Sequence, residues 1–297
     1  MKKNILVFIA LIALIAVMCI TACGKQKEES WNVKDYEQLE DIIRVEEVAL
    51  TEEYARVETY HITYKSDACE VVAYLSIPKE CMEEQKAFPC IIYNRGGNRE
   101  YGANEPEDIA YLSASSKKIV FASQYRGVDG GTGQDEFGGD DVHDVKKLVD
   151  LCEQFSFVDM EQLYMMGVSR GGMMTYMMIR EDERIKKAVV ISGEADIFMG
   201  WKERTDMQEI YIELIGESPE DAPEEYEKRS ATYWADEIKC PVLIIHSELD
   251  QKVSYAQADK MAKCLEKAGK EYKFVSYDDD VHGLHPEDFA TIMDWCK

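Results

Sequence analysis

Apolar and polar positions alternate along residues 56–66 and 70–77, where β-branched and aromatic side chains are frequent. That alternation predicts two antiparallel strands in a hairpin or meander. From residue 88 the rhythm changes to short unbroken apolar runs, at 88–93, 118–123, 163–168, 188–191, 241–245 and 272–277. Between them, at 106–116, 141–155, 172–180, 254–268 and 286–296, apolar residues recur every three or four positions, which predicts helices. Continuous apolar strands separated by helices imply a mostly parallel sheet covered on both faces, an α/β fold. Residues 194–238 interrupt the rhythm: Trp201, Met207, Tyr211 and Trp234 lie among many acids in short helical pieces, read as a lid or insertion between two strands. In such sheets ligands bind beyond the carboxyl ends of the strands. Gly, Ser, Asp and His collect at those ends here.

The first residues read as an address. Lys2 and Lys3 precede an apolar run over 5–20, shorter than the roughly 20 residues a membrane-spanning helix needs. It ends in Ile20-Thr21-Ala22-Cys23-Gly24, which resembles the bacterial lipobox. Residues 1–22 are therefore expected to be a lipoprotein signal peptide, with Cys23 lipidated and holding the protein outside the cytoplasm on the bacterial cell membrane. A polar tether is expected over 23–35, then one domain over 36–297.

Composition narrows the partners. The chain has 297 residues and a net charge of −24, with 58 acidic residues against 34 basic. That balance excludes a nucleic-acid backbone as partner. Hydrophobic residues at 46% exclude a disordered chain. Of the 9 cysteines, Cys19 falls in the signal and Cys23 takes the lipid. The remainder, Cys69, Cys81, Cys90, Cys152, Cys240, Cys264 and Cys296, is odd in number, so at least one thiol has no intramolecular disulfide. Cys90 and Cys240 sit in strand-like runs and read as core; Cys69 and Cys81 could pair. No Cys/His spacing fits zinc, and the acids of 135–144 lack EF-hand spacing, so no metal or cofactor is expected.

The chemistry is carried by Gly167-Val168-Ser169-Arg170-Gly171, a Gly-x-Ser-x-Gly placed after an apolar strand and before a helical pattern. That is the setting of a nucleophile elbow, a turn too sharp for side chains at its flanks. A serine hydroxyl needs a general base, and the base an orienting carboxylate. In the order Ser, acid, His, the candidates are Asp250, just past the run 241–245, and His282, just past 272–277. Glu248 is a rival acid and His285 a rival base; His61, His143 and His246 fall in the wrong order or on the wrong elements.

With those residues placed, the chain from residue 88 to the end resembles the α/β-hydrolase domain of prolyl-oligopeptidase-type (S9-like) serine peptidases and their esterase relatives. The resemblance rests on Gly167 to Gly172, on Tyr125-Arg126-Gly127 with Gly133, Phe137-Gly138-Gly139 and the acids of 141–144, on the segments 226–230 and 238–253, and on Val281-His282-Gly283-Leu284. It implies acyl transfer to water through a serine ester, without a metal. Two departures stand out. The 87 residues before Phe88 are too few for the β-propeller that often precedes this domain. Arg95-Gly96-Gly97 stands where the family commonly has His-Gly-Gly or Tyr-Gly-Gly, so a tyrosine oxyanion donor is absent there. The backbone N–H groups of Gly97 and Arg170 are then the expected oxyanion hole. Arg95, Tyr125 and Arg126 are candidate substrate contacts; Arg95, Arg126 and Arg170 would either pair with Asp129, Asp135, Asp140, Asp141 or Asp144, or hold a substrate carboxylate. The expected protein is thus a lipid-anchored serine hydrolase acting on a small peptide-like amide or carboxylic ester, peptidase-like by resemblance. An esterase for acylated sugars or aryl esters is one alternative, and a non-catalytic binding lipoprotein that keeps the fold is another.

Overall fold

A computed structural model of the protein describes residues 31–297; the expected signal peptide, Cys23 and most of the tether lie outside the described residues. The strands are β1 (Ile42–Val48), β2 (Val57–Ser66), β3 (Cys69–Pro78), β4 (Phe88–Asn94), β5 (Ile119–Ser123), β6 (Val158–Val168), β7 (Lys187–Ile191), β8 (Val242–Ser247) and β9 (Tyr272–Tyr277). The α-helices are α1 (Lys79–Glu84), α2 (Pro106–Ser116), α3 (Val142–Cys152), α4 (Arg170–Glu181), α5 (Ile197–Glu203), α6 (Gln208–Ile215), α7 (Pro223–Lys228), α8 (Tyr255–Lys267) and α9 (Asp288–Trp295). One sheet runs β1-β2-β3-β5-β4-β6-β7-β8-β9. Its first three pairings are antiparallel and the remaining five parallel.

The apolar runs behave as buried parallel strands should. Ile91, Val120, Tyr164, Met166, Val189, Ile191, Leu243 and Ile245 form one buried face, packed against Ile109 and Leu112 of α2 and Ile292 of α9. Alternate residues such as Ile92, Met165, Val190 and Ile244 are equally buried and point to the opposite face by the period of two. The sheet is therefore apolar on both sides, and its polar groups are pushed to the strand ends.

Two elements are additional to those expected, and one boundary changes. β1 was not read as a strand because a bulge between Ile42 and Arg44 breaks its alternation, leaving only Ile42 and Val45 buried. α1 is a short helix without apolar periodicity beyond buried Cys81. The tether ends earlier than residue 35: the Asn32 side chain caps a 3-10 turn, Val33–Gln38, whose Val33 is fully buried. Residues 194–238 do form short helical pieces between β7 and β8, and Tyr211 and Tyr226 are fully buried within them. All seven cysteines of the described residues are free thiols, Cys69 and Cys81 included.

Candidate active site

The turn from β6 into α4 explains its own sequence. A Cβ on Gly167 would lie 2.0 Å from the Gly171 carbonyl oxygen, and one on Gly171 would lie 2.0 Å from the Asn94 carbonyl oxygen. Ser169 between them has φ 57° and ψ −125°, a conformation that costs a non-glycine residue about 1–3 kcal/mol. The surroundings enforce it. The Ser169 N–H donates to the Ile191 carbonyl at 3.0 Å, and the Ser169 carbonyl accepts from the N–H groups of Gly172 at 2.8 Å and Glu194 at 3.2 Å.

Asp250 follows β8 and is buried. Its Oδ1 accepts from the N–H groups of Lys252 at 2.8 Å and Val253 at 3.1 Å, and its Oδ2 lies 2.8 Å from His282 Nδ1. Burial pushes this carboxyl's pKa up, but the hydrogen bonds from His282, Lys252 and Val253 outweigh it and hold it below the usual carboxylate range. Asp250 is thus the acceptor, and Nδ1 of His282 carries hydrogen. The His loop is tied back to β7 by the Gly283 N–H, which donates to Ser192 Oγ at 3.1 Å. Ser169 and His282 line one cavity of about 390 Å³, together with Gly97 and Arg170. A second cavity of about 500 Å³, walled by Ile109, Leu112, Leu284 and Phe289, shares Gly96 and Gly102 with it.

The rivals are accounted for. Glu248 is exposed. His285 stacks on Tyr277 and is held between Asp279 and Asp288. His246 is buried with Nε2 2.8 Å from the Val253 carbonyl, and burial lowers its pKa, so it is a neutral imidazole beneath Asp250. His61 and His143 face Asp129 and Asp67.

The expected substrate contacts are corrected, and for Arg126 and Arg170 the alternative of internal pairing with acids holds. Arg95 is 1% exposed and spends its guanidinium on the carbonyls of Gln124, Gly96, Tyr101 and Arg99. Tyr125 is fully buried, its hydroxyl donating to the Arg95 carbonyl. Arg126 forks onto Asp144 and reaches Asp67. Arg170 is likewise paired inside, with Asp135 at 2.7 Å and with Asp141. None of these guanidiniums is free to hold a substrate carboxylate. Asp135, Asp141 and Asp144 pair with the buried Arg170 and Arg126, and the sequence does not say which way the arginines turn.

The pairing has a second effect. Arg170 Nη1 also donates to the Gly97 carbonyl at 3.1 Å, and the Asp135 carboxylate accepts from the Arg99 N–H at 2.7 Å. Loop 95–104 is therefore fixed against the start of α4 by buried charge. Gly97 itself has φ 69°, and a Cβ there would lie 2.0 Å from the Tyr101 carbonyl oxygen. Gly97→Ala is expected to displace the loop and lower kcat by roughly 10²-fold, with KM changed far less. Steady-state kinetics on an ester checks this.

Three charged residues of the cavity, Glu194, Arg204 and Lys252, carry no motif that marks them as site residues. Glu194 stands just past β7, at the kind of strand end where functional groups were sought. In the sequence it is one acid among many in 194–238.

The sequence profile of the prolyl oligopeptidase family matches residues 107–297. The chain belongs to this family. Membership makes it a serine hydrolase. It is 30% identical to the uncharacterized peptidase YtmA of Bacillus subtilis, over 80% of this chain and 91% of that protein. Among solved structures, Pyrococcus horikoshii acylaminoacyl peptidase superposes with a TM-score of 0.70 at 21% identity, over 81% of this chain and 41% of that one. Acetyl xylan esterase 1 from Thermoanaerobacterium gives 0.65 at 17% identity, over 85% of this chain and 86% of that one. The chain thus spans about two fifths of the peptidase structure and most of the esterase. Both likenesses speak to the α/β-hydrolase fold with its mostly parallel sheet.

Proposed function

We propose that the protein hydrolyses a peptide-like amide or a carboxylic ester through an acyl-serine intermediate. Ser169 is the nucleophile, His282 the base and then the acid, and Asp250 the residue that orients it. The observation that carries this reading is the 2.8 Å contact between His282 Nδ1 and Asp250, with Ser169 and His282 on one cavity wall. With hydrogen held at Nδ1, Nε2 is free to take the proton of Ser169 Oγ as the hydroxyl attacks the carbonyl carbon. The oxyanion that forms is received by the N–H groups of Arg170 and Gly97. The first of these opens helix α4 and has no carbonyl of its own helix to bond. His282 then returns the proton to the departing amine or alcohol. Water repeats the sequence on the acyl-serine, and the ionised Asp250 stabilises the imidazolium in both halves.

Amide preference is favoured by family membership and by the relative named a peptidase. Preference for acylated sugars or aryl esters is the second reading, favoured by a fold that matches an acetyl xylan esterase over nearly its whole length. Matched aminoacyl anilides and short acyl esters separate them. Serine-dependent anilide cleavage supports the peptidase, because an amine leaving group must be protonated and an activated alcohol need not be. Cleavage of esters alone supports the esterase.

Export and anchoring belong to the same proposal, with residues 1–22 as signal and Cys23 as the lipidated residue of an extracytoplasmic, membrane-held enzyme. The N-terminal mass of the mature chain tests it: a diacylated Cys23 supports the anchor, and an unmodified or uncleaved terminus rejects it.

A further inference from the structure

The cavity beside Ser169 contains a carboxylate that the catalytic scheme does not use. Glu194 is 7% exposed. Its N–H bond to the Ser169 carbonyl fixes it relative to the nucleophile. One carboxyl oxygen accepts from the Tyr211 hydroxyl at 3.2 Å; the other is buried with no hydrogen-bond partner. A buried carboxylate is normally paired or fully hydrogen-bonded. Among the described residues no cation makes that contact.

The nearby cations are committed elsewhere. Arg170 of α4 is taken by Asp135 and Asp141. Arg204, after α5, gives Nε and Nη2 to Asp206 and Nη1 to the Lys252 carbonyl. His282 is turned toward Asp250. The Lys252 side chain is exposed. One acidic acceptor thus faces a cavity shared with the nucleophile, without a partner of opposite charge.

Resting on the catalytic reading above, we infer that Glu194 makes this cavity a receptor for a cationic group of the substrate, a protonated amine, amidinium or guanidinium. Such a group would supply charge-assisted hydrogen bonds to the unpartnered oxygen beside Ser169. The carboxyl must be ionised to do this. Burial raises its pKa above the usual carboxylate range, and the Tyr211 hydrogen bond, Arg170, Arg204 and His282 draw it part of the way back. Cation preference therefore fades on acidification, beginning above the pH at which an exposed glutamate titrates.

Calorimetric binding of benzamidinium and of uncharged benzamide to the full Ser169→Ala chain tests this without requiring turnover, so it stands or falls separately from the catalytic scheme. Benzamidinium is expected to bind about tenfold or more tightly than benzamide at neutral pH. The difference should shrink toward one in Ser169→Ala/Glu194→Gln. Lowering the pH should reduce it in the glutamate form and leave it unchanged in the glutamine form. Equal binding of the two probes at neutral pH overturns the inference. So does a preference that survives Glu194→Gln, or tighter binding of benzoate than of benzamidinium, which would give the cavity to Arg204 and Lys252. The pH comparison on the glutamate form keeps the test decisive if the glutamine form does not fold.

Discussion

Ser169→Ala is expected to lower kcat by roughly 10⁴- to 10⁶-fold, with KM within about threefold of the parent. The argument is that binding and the oxyanion donors remain, and only the atom that forms the acyl intermediate is lost. Stability gives an independent reading of the same position. Ser169 is held at positive φ by its neighbours, and alanine inherits that strain because it keeps a Cβ. Ser169→Gly removes it and is expected to unfold at higher temperature than the parent, by about 1 kcal/mol net of glycine's larger unfolded-state entropy. Active parent, inactive Ala form and inactive, more stable Gly form together would mean that the strain serves the placement of the hydroxyl. Scanning calorimetry beside the kinetics checks all three.

Arg170→Met is the second large effect, and it acts first on folding. The guanidinium sits between the rings of Tyr125 and Phe137 and pairs with Asp135 and Asp141, all of them buried. Removing it leaves two carboxylates in the interior without their cation, a loss of about 3–5 kcal/mol. For a chain of this size that lowers Tm by roughly 10 °C. The sign of its pH dependence is set by the same pair. In the parent, burial raises the pKa of Asp135, but Arg170 and the N–H groups of Arg99 and Phe137 outweigh it and hold it below the usual range. That contribution is present above the unfolded-state pKa and is lost as pH falls through the lower folded value. In the variant Arg170 no longer opposes burial, so the Asp135 carboxyl rises, and that of Asp141, which burial already holds above the usual range in the parent, rises further. Acid then relieves the variant more than the parent, so the stability gap narrows as pH falls. Urea unfolding at two pH values measures this, and a gap that widens in acid would contradict it. Because Arg170 also holds the Gly97 carbonyl, whatever folded variant remains should turn over more slowly.

What could be read from residues alone follows from where the physics is local. The unbroken apolar runs of β4 to β9 fix buried parallel strands by composition, and the turn at Ser169 needs glycine at 167 and 171 for reasons of a few ångströms. Chain order then singles out Asp250 and His282, and the structure joins them by a hydrogen bond. Side-chain direction is not local. Arg95, Arg126 and Arg170 stand at the expected edge of the sheet yet turn inward, Arg95 onto backbone carbonyls, Arg126 onto Asp144 of α3, and Arg170 onto Asp135 and Asp141 of the loop before α3. Glu194 is the converse case: an acid in an acid-rich segment becomes distinctive only when Tyr211 is seen to satisfy one of its oxygens and nothing the other. β1 was hidden by its bulge, and the docked Val33 by the polar residues around it.

The account turns on Ser169 as the nucleophile, and covalent labelling tests that most directly. A fluorophosphonate should add one equivalent to the folded chain, map to the peptide containing Ser169, fail to add to Ser169→Ala, and add far more slowly to His282→Gln. A folded chain that stays unlabelled, or one labelled at another residue at the same rate with and without Ser169, would contradict the account.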